Sequence, residues 1–575
     1  MSERLSSPDS SGHSSISRRV RSVWGTSLVF ALAVAVSGCV GIPTSGSVNA
    51  GDVIEDNDDF QFAPLVSPPQ QDASQQEILT DFVQASSSPE NNYEVARQYL
   101  TPDAAEAWVP NASVTIREGS GTLLGVNDTE IDYAVVTQAS VDSAGLYTEE
   151  RAPASQRLRF AFEQVDGQWR IGQLEDGTVV SRDNFEAVFA AHALYYFDPS
   201  YRYLVPDVRW FPSRSNIETR IVSSLLSGQA SWMQNGATVS AFPPGTELAS
   251  PVEVRSGRAT VDLSDEVASV SDIERARMQQ QLAESLGTVS VSSVTMTVRG
   301  IPRAVTDPGA SSATRTDTLA EPAPLVREGN SFGFATAGTV ITVPRLSAKI
   351  LGLNATAVSL ARGQASAAVL GDGGTYLVTT GEEAPLLVDA RNDLVEPSID
   401  TWKFVWSVQS TSGSQILVIG TDGVQHAITS TLPADARVVS LDVSRDGARV
   451  LLYLSTDAGP RLKVAGVIRR DGVPTGLGEL VDLPVGTEAA LDATWVDDRS
   501  VATLAISDSG EVVNVFSLGG PTQSLGRADG GTHIVGGNGT AQQLRVLTVE
   551  NLVVQRRASG WQSTGIQADL LATQQ

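Results

Sequence analysis

The stretch Leu441–Leu454, LDVSRDGARVLLYL, decides the fold expected for the second half of the chain. Apolar residues alternate with polar ones before Asp446-Gly447, and a second apolar run follows. Asp-Gly pairs favour tight turns between antiparallel strands. The stretch therefore predicts two paired strands joined by a short turn.

Four further units share this pattern of strand, turn and strand. They begin near Ser366, Ser398, Ala493 and Ile534. Together with the unit at Leu441 their intervals are 32, 43, 52 and 41 residues, with a mean of 42. A four-stranded propeller blade takes about 40–45 residues. We therefore predict an all-β propeller of five to seven blades over residues 331–575, with a two-sheet sandwich as the alternative architecture.

Residues 306–330 contain a run rich in Pro, Ala, Ser and Thr, DPGASSATRTDTLAEPAP, which is typical of an interdomain linker. Before it, residues 196–305 alternate between helical and strand patterns. Ser215 with Glu218, and Ser271 with Glu274, have the spacing of capping boxes that start helices. Alternating apolar residues between the two helices predict short strands.

The order of these elements carries three segments that resemble the GerMN domain of spore-germination and cell-envelope proteins. They are Leu225-Leu226-Ser227-Gly228, Phe242-Pro243-Pro244-Gly245-Thr246 and Ala259-Thr260-Val261-Asp262-Leu263-Ser264. This resemblance implies a small α/β domain that binds or scaffolds, with no catalytic residues assigned to it.

Residues 75–195 read as helices first and strands afterwards. Ile78, Leu79, Phe82 and Val83 share one helical face. A later alternating strand leads through the hairpin turn Asp166-Gly167 into a further strand. This layout resembles cystatin-like or NTF2-like α+β modules, in which helices pack on a curved antiparallel sheet.

The first residues of the chain have the pattern of an export signal. Arginines precede an apolar run from Leu28 to Val36, which is too short to cross a bilayer because that takes about 20 residues. Val36, Ser37, Gly38 and Cys39 resemble the lipobox of bacterial lipoproteins. The resemblance implies cleavage between Gly38 and Cys39, with a diacylglycerol on the cysteine sulfur and a further acyl chain on its amine. Residues 1–38 are thus predicted to be a signal peptide, and residues 39–74 a lipid-anchored spacer.

Composition excludes several function classes. The net charge of −26 argues against nucleic acid as a partner. Cys39 is the only cysteine, so a disulfide within the chain is impossible. The scattered histidines His192, His426 and His533 lack the spacing of a conventional zinc site. We therefore expect no catalytic residues, no metal and no cofactor.

The combination of a lipobox, an α+β module, a GerMN-like domain and a propeller resembles the LpqB family of actinobacterial lipoproteins. This resemblance implies a protein on the extracytoplasmic face of the cell membrane that binds the sensor kinase MtrB and modulates the MtrA–MtrB two-component system. The alternative is an envelope protein that binds or processes peptidoglycan, with Trp402, Trp406 and Trp495 available to stack on sugars.

Overall fold

The α+β module begins with helices and continues as a five-stranded sheet. The computed structural model describes residues 66–213, 216–305, 314–315, 318–433, 436–537, 539–558 and 560–575. The helices of the module are Gln75–Ala85, Glu94–Arg97 and Pro102–Ala107. Its strands are β1 (Ser113–Asn127), β2 (Glu130–Asp142), β3 (Tyr147–Val165), β4 (Gln168–Gln173) and β5 (Thr178–Ser181), in the order β4-β3-β2-β1-β5.

The helical face predicted for this module is confirmed. Ile78, Leu79 and Phe82 are buried, and the Phe82 ring meets that of Phe160 on β3 at 6.0 Å between centroids. The predicted turn is confirmed as well. Asp166 and Gly167 join β3 to β4 with φ angles of 50° and 76°, which are the positive values that this type of hairpin turn needs.

The second part combines a two-stranded ribbon, two helices and a four-stranded sheet. Helix Arg182–Val188 leads into the ribbon strands β6 (Phe189–Phe197) and β7 (Leu204–Pro212). The helices that follow are Ile217–Ser227 and Asp272–Leu286. The sheet contains β8 (Glu253–Arg255), β9 (Arg258–Leu263), β10 (Ser293–Val298) and β11 (Ile301–Pro302), and β9 runs parallel to β10.

The capping box predicted for the second helix is confirmed. The Ser271 hydroxyl accepts from the Glu274 backbone N–H, and the Glu274 carboxylate accepts from the Ser271 backbone N–H. For the first helix, Ser215 lies outside the described residues, and Asn216 stands at the helix start with a φ of 44°.

The remaining strands form a propeller of six blades around a central axis. In blades 2 to 6 the strands follow one another in the chain, and the innermost strand comes first. Blade 2 contains β15 (Ala357–Leu360), β16 (Ser366–Gly371), β17 (Gly374–Thr379) and β18 (Leu386–Asp389). Blade 3 contains β19 (Ser398–Ile399), β20 (Val405–Gln409), β21 (Ser412–Ile419) and β22 (Gln425–Ala427).

The other three consecutive blades follow the same order. Blade 4 contains β23 (Arg437–Val443), β24 (Arg449–Thr456), β25 (Gly459–Arg470) and an outer edge divided into β26 (Val473–Leu477) and β27 (Val481–Leu483). Blade 5 contains β28 (Ala489–Trp495), β29 (Ser500–Ser507), β30 (Gly510–Ser517) and β31 (Thr522–Arg527). Blade 6 contains β32 (Gly531–Val535), β33 (Arg545–Thr548), β34 (Leu552–Arg557) and β35 (Gly560–Gln567).

Blade 1 is assembled from two distant parts of the chain. Its outer strands are β12 (Leu325–Glu328), β13 (Ser331–Thr336) and β14 (Thr339–Thr342), and helix Ser347–Leu351 follows them. Its innermost strand, β36 (Leu570–Gln574), runs antiparallel to β12 and parallel to β15 of blade 2. This strand closes the ring.

The propeller is confirmed, but the phase of the repeat needs a correction. The units at Ser398, Ala493 and Ile534 fall on innermost strands, whereas Ser366 begins the second strand of blade 2. The innermost strands begin at residues 357, 398, 437, 489, 531 and 570. The repeat in the sequence did not reveal blade 1, because its outer strands and its innermost strand are separated by more than two hundred residues. The first strand of blade 1 begins at Leu325, before the predicted propeller start at residue 331.

The turns after the innermost strands explain the repeated aspartates. Asp400, Asp446 and Asp497 occupy this turn in blades 3, 4 and 5, and each carboxylate accepts a backbone N–H two residues further on, at 2.8–3.0 Å. Asp400 also accepts from the indole of buried Trp406 at 3.2 Å. Its ion pair with Arg469, 2.7 Å long and almost wholly buried, joins blade 3 to blade 4.

We predict that Asp400→Asn destabilises the propeller by about 3 kcal/mol, because it leaves the buried Arg469 guanidinium without its counter-charge. The control is Asp422→Asn in the exposed turn before β22, where the expected loss is within about 0.5 kcal/mol. Urea unfolding of the two variants measures the difference. Equal losses would contradict a structural role for the ion pair.

Candidate functional site

The predicted lipidation and cleavage residues, Val36, Ser37, Gly38 and Cys39, lie outside the described residues. They stay a prediction from the sequence. Among the residues that the structure does describe, no helix combines the length and apolar character needed to cross a membrane.

The tryptophans proposed for sugar stacking are mostly core residues. Trp406 and Trp495 are 0% and 1% exposed and pack between blades. Trp402 is half-buried, and the guanidinium of Arg469 covers its ring at 3.8 Å from the centroid. These three side chains therefore form no open aromatic platform.

One side of the propeller is covered by the GerMN-like part of the chain. The segment Ala230–Ala237 enters the break between β26 and β27 at the edge of blade 4. A Cβ on Gly466 would lie 2.4 Å from the Ala237 Cβ and 2.8 Å from the Trp232 carbonyl oxygen. The contact therefore requires glycine at position 466.

Further hydrogen bonds extend this contact to blade 5 and to the α+β module. The Glu149 carboxylate accepts from the backbone N–H of Thr522 at 2.9 Å and from its hydroxyl at 2.6 Å. Arg151 donates to the Pro460 carbonyl at 2.9 Å, and the Trp210 indole donates to that of Gly519 at 2.7 Å. Blades 4 and 5 are thus occupied by the chain's own first half.

Blades 2 and 3 carry an exposed apolar patch, which we call the blade 2–3 rim and define as Leu386, Leu387 and Val424. Their exposed fractions are 42%, 45% and 48%. Leu386 lies against the turn that contains Gly423, next to Val424. Leu387 follows on the same outer strand, β18, with its side chain on the opposite face, so the three residues share the outer edge of these two blades. Exposed apolar residues concentrated at one edge favour a protein contact.

A charged cluster lies at the propeller axis, where the innermost strands meet. The His533 Nδ1 atom is 2.7 Å from the Asp492 carboxylate and 3.4 Å from that of Glu396. Asp492 is held in place by the backbone N–H groups of Ala493 and Ile534, both at 2.8 Å. Three of the six blades therefore share one histidine.

A second carboxylate network lies beside this histidine. Asp442 accepts from the Ser398 hydroxyl at 3.0 Å and from the Gln575 side chain at 2.8 Å. The neighbouring space, lined in part by Ser440 and Thr573, is about 10 Å³, which is at the lower limit for one water molecule. Through Asp442 these hydrogen bonds connect β23 with β19 and with the residue that follows β36.

The electrostatics of the cluster keep a proton inside it. Burial is the largest influence on His533 and disfavours its charged form, but the Glu396, Asp492 and Asp442 carboxylates outweigh it and raise the pKa of His533 to about 10. Burial also raises the pKa of Glu396, although His533 opposes that shift. The His533 Nε2 atom has no hydrogen-bond partner among the described residues, so no nucleophile is paired with it there.

Sequence reasoning could not assemble this cluster. Glu396, Asp442, Asp492 and His533 come from four different blades, and no local spacing marks them as neighbours. The described residues contain no group of His, Cys, Asp and Glu side chains suited to hold a metal ion. His192 and His426 lie away from the cluster, on β6 and β22.

We predict that Gly466→Ala weakens the contact between blade 4 and the segment Ala230–Ala237, at a cost of about 2 kcal/mol, because the added methyl overlaps backbone and side-chain atoms. Hydrogen exchange of the Met233 and Thr238 amides should become faster. Gly560→Ala is the control, since a Cβ at that position meets nothing within 4 Å. Equal behaviour of the two variants would refute the contact.

We also predict that His533→Gln destabilises the protein by about 3 kcal/mol at pH 7.5, because Asp492 and Glu396 lose the cation that lies beside them. A raised histidine pKa stabilises the folded state below the ordinary pKa, and this stabilisation disappears as the pH rises through about 10. The difference between wild type and variant should therefore shrink by pH 10.5. The control is His426→Gln on β22, away from these carboxylates, which should change the stability by less than about 0.5 kcal/mol. If the loss of stability in the His533 variant stayed the same from pH 7.5 to pH 10.5, a charged histidine would be contradicted.

Comparisons with known proteins agree with this architecture. Residues 68–186 match the family described as "Lipoprotein LpqB, N-terminal domain". Residues 193–304 match "Sporulation and spore germination", and residues 333–568 match "Lipoprotein LpqB beta-propeller domain". The three matches follow the three structural parts in order.

Individual relatives point to the same family. Lipoprotein LpqB of Streptomyces coelicolor is 26% identical over 564 residues, covering 87% of each chain. That of Cutibacterium acnes is 25% identical over 536 residues, covering 85% of this chain and 87% of the relative. That of Nocardia farcinica is 33% identical over 233 residues, or 40% and 37% of the two chains. The chain belongs to the LpqB lipoprotein family.

Proposed function

We propose that this chain is an extracytoplasmic lipoprotein, held at the cell membrane by lipid on Cys39, that binds the sensor kinase MtrB and modulates MtrA–MtrB signalling in envelope and division control. Membership of the LpqB lipoprotein family and the lipobox-like residues Val36–Cys39 support the anchor. We propose a binding role rather than an enzymatic one.

The observation that carries the binding proposal is the asymmetry of the propeller. Blades 4 and 5 are covered by the chain's own first half through Trp232 and Glu149. The blade 2–3 rim carries exposed leucines and a valine. We propose this rim as the sensor contact, because apolar side chains that cluster at a surface gain free energy when a partner removes them from water.

Anchoring would help this contact in a simple way. A lipid on Cys39 confines the protein and a membrane-embedded kinase to one surface, and this raises their effective concentration without any new contact. A lipoprotein that binds one signalling state of the kinase more tightly than the other shifts the equilibrium toward that state. Modulation then needs no chemistry in the propeller.

The glycan-binding alternative receives less support. Trp406 and Trp495 are buried, and Arg469 covers Trp402. Stacking on sugars would require these rings to leave the core of the blades.

The test is capture of the extracytoplasmic part of MtrB by the purified protein. We expect Leu386→Asp combined with Leu387→Asp to weaken capture about tenfold or more, which corresponds to about 1.4 kcal/mol. Ile506→Asp is the matched control, because Ile506 is 45% exposed and lies on blade 5. Thermal unfolding should confirm that all variants fold.

Undiminished capture by the leucine variant would rule out the rim as the contact. Equal loss in the Ile506 variant would show that the effect comes from added charge rather than from position. Sedimentation of wild type with purified cell wall, without capture of MtrB, would favour the glycan alternative.

A further inference from the structure

The α+β module contains a groove of about 780 Å³ that the proposed sensor contact does not use. The groove lies between helix Gln75–Ala85 and the strands β1, β2 and β5. Ligand pockets in proteins are commonly about 300–1,000 Å³. The groove is therefore large enough for a small molecule.

The walls of the groove are divided between apolar and polar groups. Val83 from the helix, Leu123 from β1 and Val179 from β5 supply apolar surface. The ring of Tyr133 forms part of the wall and lies so close to Gly121 that a Cβ there would be 2.1 Å from the ring. Glycine at position 121 is thus needed to seat this tyrosine.

Two side chains in the groove have unused hydrogen-bonding capacity. Arg117 is half-buried and donates to the Gly119 carbonyl, but its Nε atom is buried without a partner. Tyr133 is 7% exposed, and its hydroxyl has no hydrogen bond within the described part of the chain. Buried polar groups normally find partners, so the buried, unpaired Arg117 Nε atom beside this groove points to a ligand, and the Tyr133 hydroxyl is a second available donor.

The charge of the groove is opposite to that of the protein. None of the described residues that line it is an aspartate or a glutamate, and Arg117 is its cation. The chain as a whole has 66 acidic and 40 basic residues besides histidine. Arg117 also has no ion-pair partner among the described residues. A donor-rich, acid-free groove in so acidic a protein selects an anion.

We propose that this groove binds a small amphipathic anion. A carboxylate or phosphate head would accept hydrogen bonds from Arg117 and Tyr133, with Ser181 and Asn184 close by on the same wall. An aliphatic body would lie against Val83, Leu123 and Val179. This site does not depend on the proposed sensor contact, because it lies in a different part of the chain.

The test uses four defined probes on the full chain: decyl phosphate, decanoate, decanol and inorganic phosphate. Titration calorimetry should show that decyl phosphate or decanoate binds at least about tenfold more tightly than decanol, because a charged hydrogen-bonded head contributes about 1.5–3 kcal/mol. Inorganic phosphate alone should bind more weakly than decyl phosphate, since it lacks the apolar body. The ratio of decyl phosphate to decanoate identifies the preferred head.

Variants locate the binding in the groove. Arg117→Gln should weaken binding of the preferred probe about tenfold or more, and Tyr133→Phe should weaken it about threefold. Arg157→Gln is the matched control, because Arg157 is exposed and pairs with Ala134, whose side chain points to the opposite face of the sheet from Tyr133. Binding by decanol equal to that of both anions, no binding by any probe, or an Arg117 variant with wild-type affinity would overturn the proposal.

Discussion

Closure of the six-bladed ring by β36 is the constraint on which the rest of the structure depends. This strand pairs with β12 on one side and β15 on the other, so it joins the two ends of the propeller sequence. An open ring would leave two edges of unpaired backbone groups, which is costly and prone to aggregation. Closure also brings Gln575 beside Asp442, where the polar network of the axis is completed.

The ring in turn provides the scaffold for the first half of the chain. The edge of blade 4 is interrupted between β26 and β27, and the segment around Trp232 fills the interruption. Such an arrangement protects an edge that would otherwise be exposed. It also leaves the two halves of the protein in contact through backbone as well as side-chain atoms.

Much of this fold could be predicted from local patterns, and the rest depends on distant contacts. The turns at Asp446-Gly447 and Asp166-Gly167 correctly predicted paired strands, because turn chemistry is local. The sequence pattern did not predict blade 1, because its strands β12 and β36 are far apart in the chain. The lipobox predicted at Val36–Cys39 also rests on a local pattern and stays a prediction. The cluster at His533 and the groove at Arg117 form only in the folded chain, so the spacing of residues in the sequence does not predict them.

The position of β36 has a consequence for the order of assembly. Synthesis runs from the amino-terminal side, so all strands of blades 2 to 5 are made well before Leu570–Gln574. Until β36 is in place, β12 and β15 each have one edge without a paired strand. An incomplete propeller can therefore pair with strands of other chains and aggregate. Removal of Leu570–Gln574 would therefore damage blade 1, whose other strands are encoded more than two hundred residues earlier.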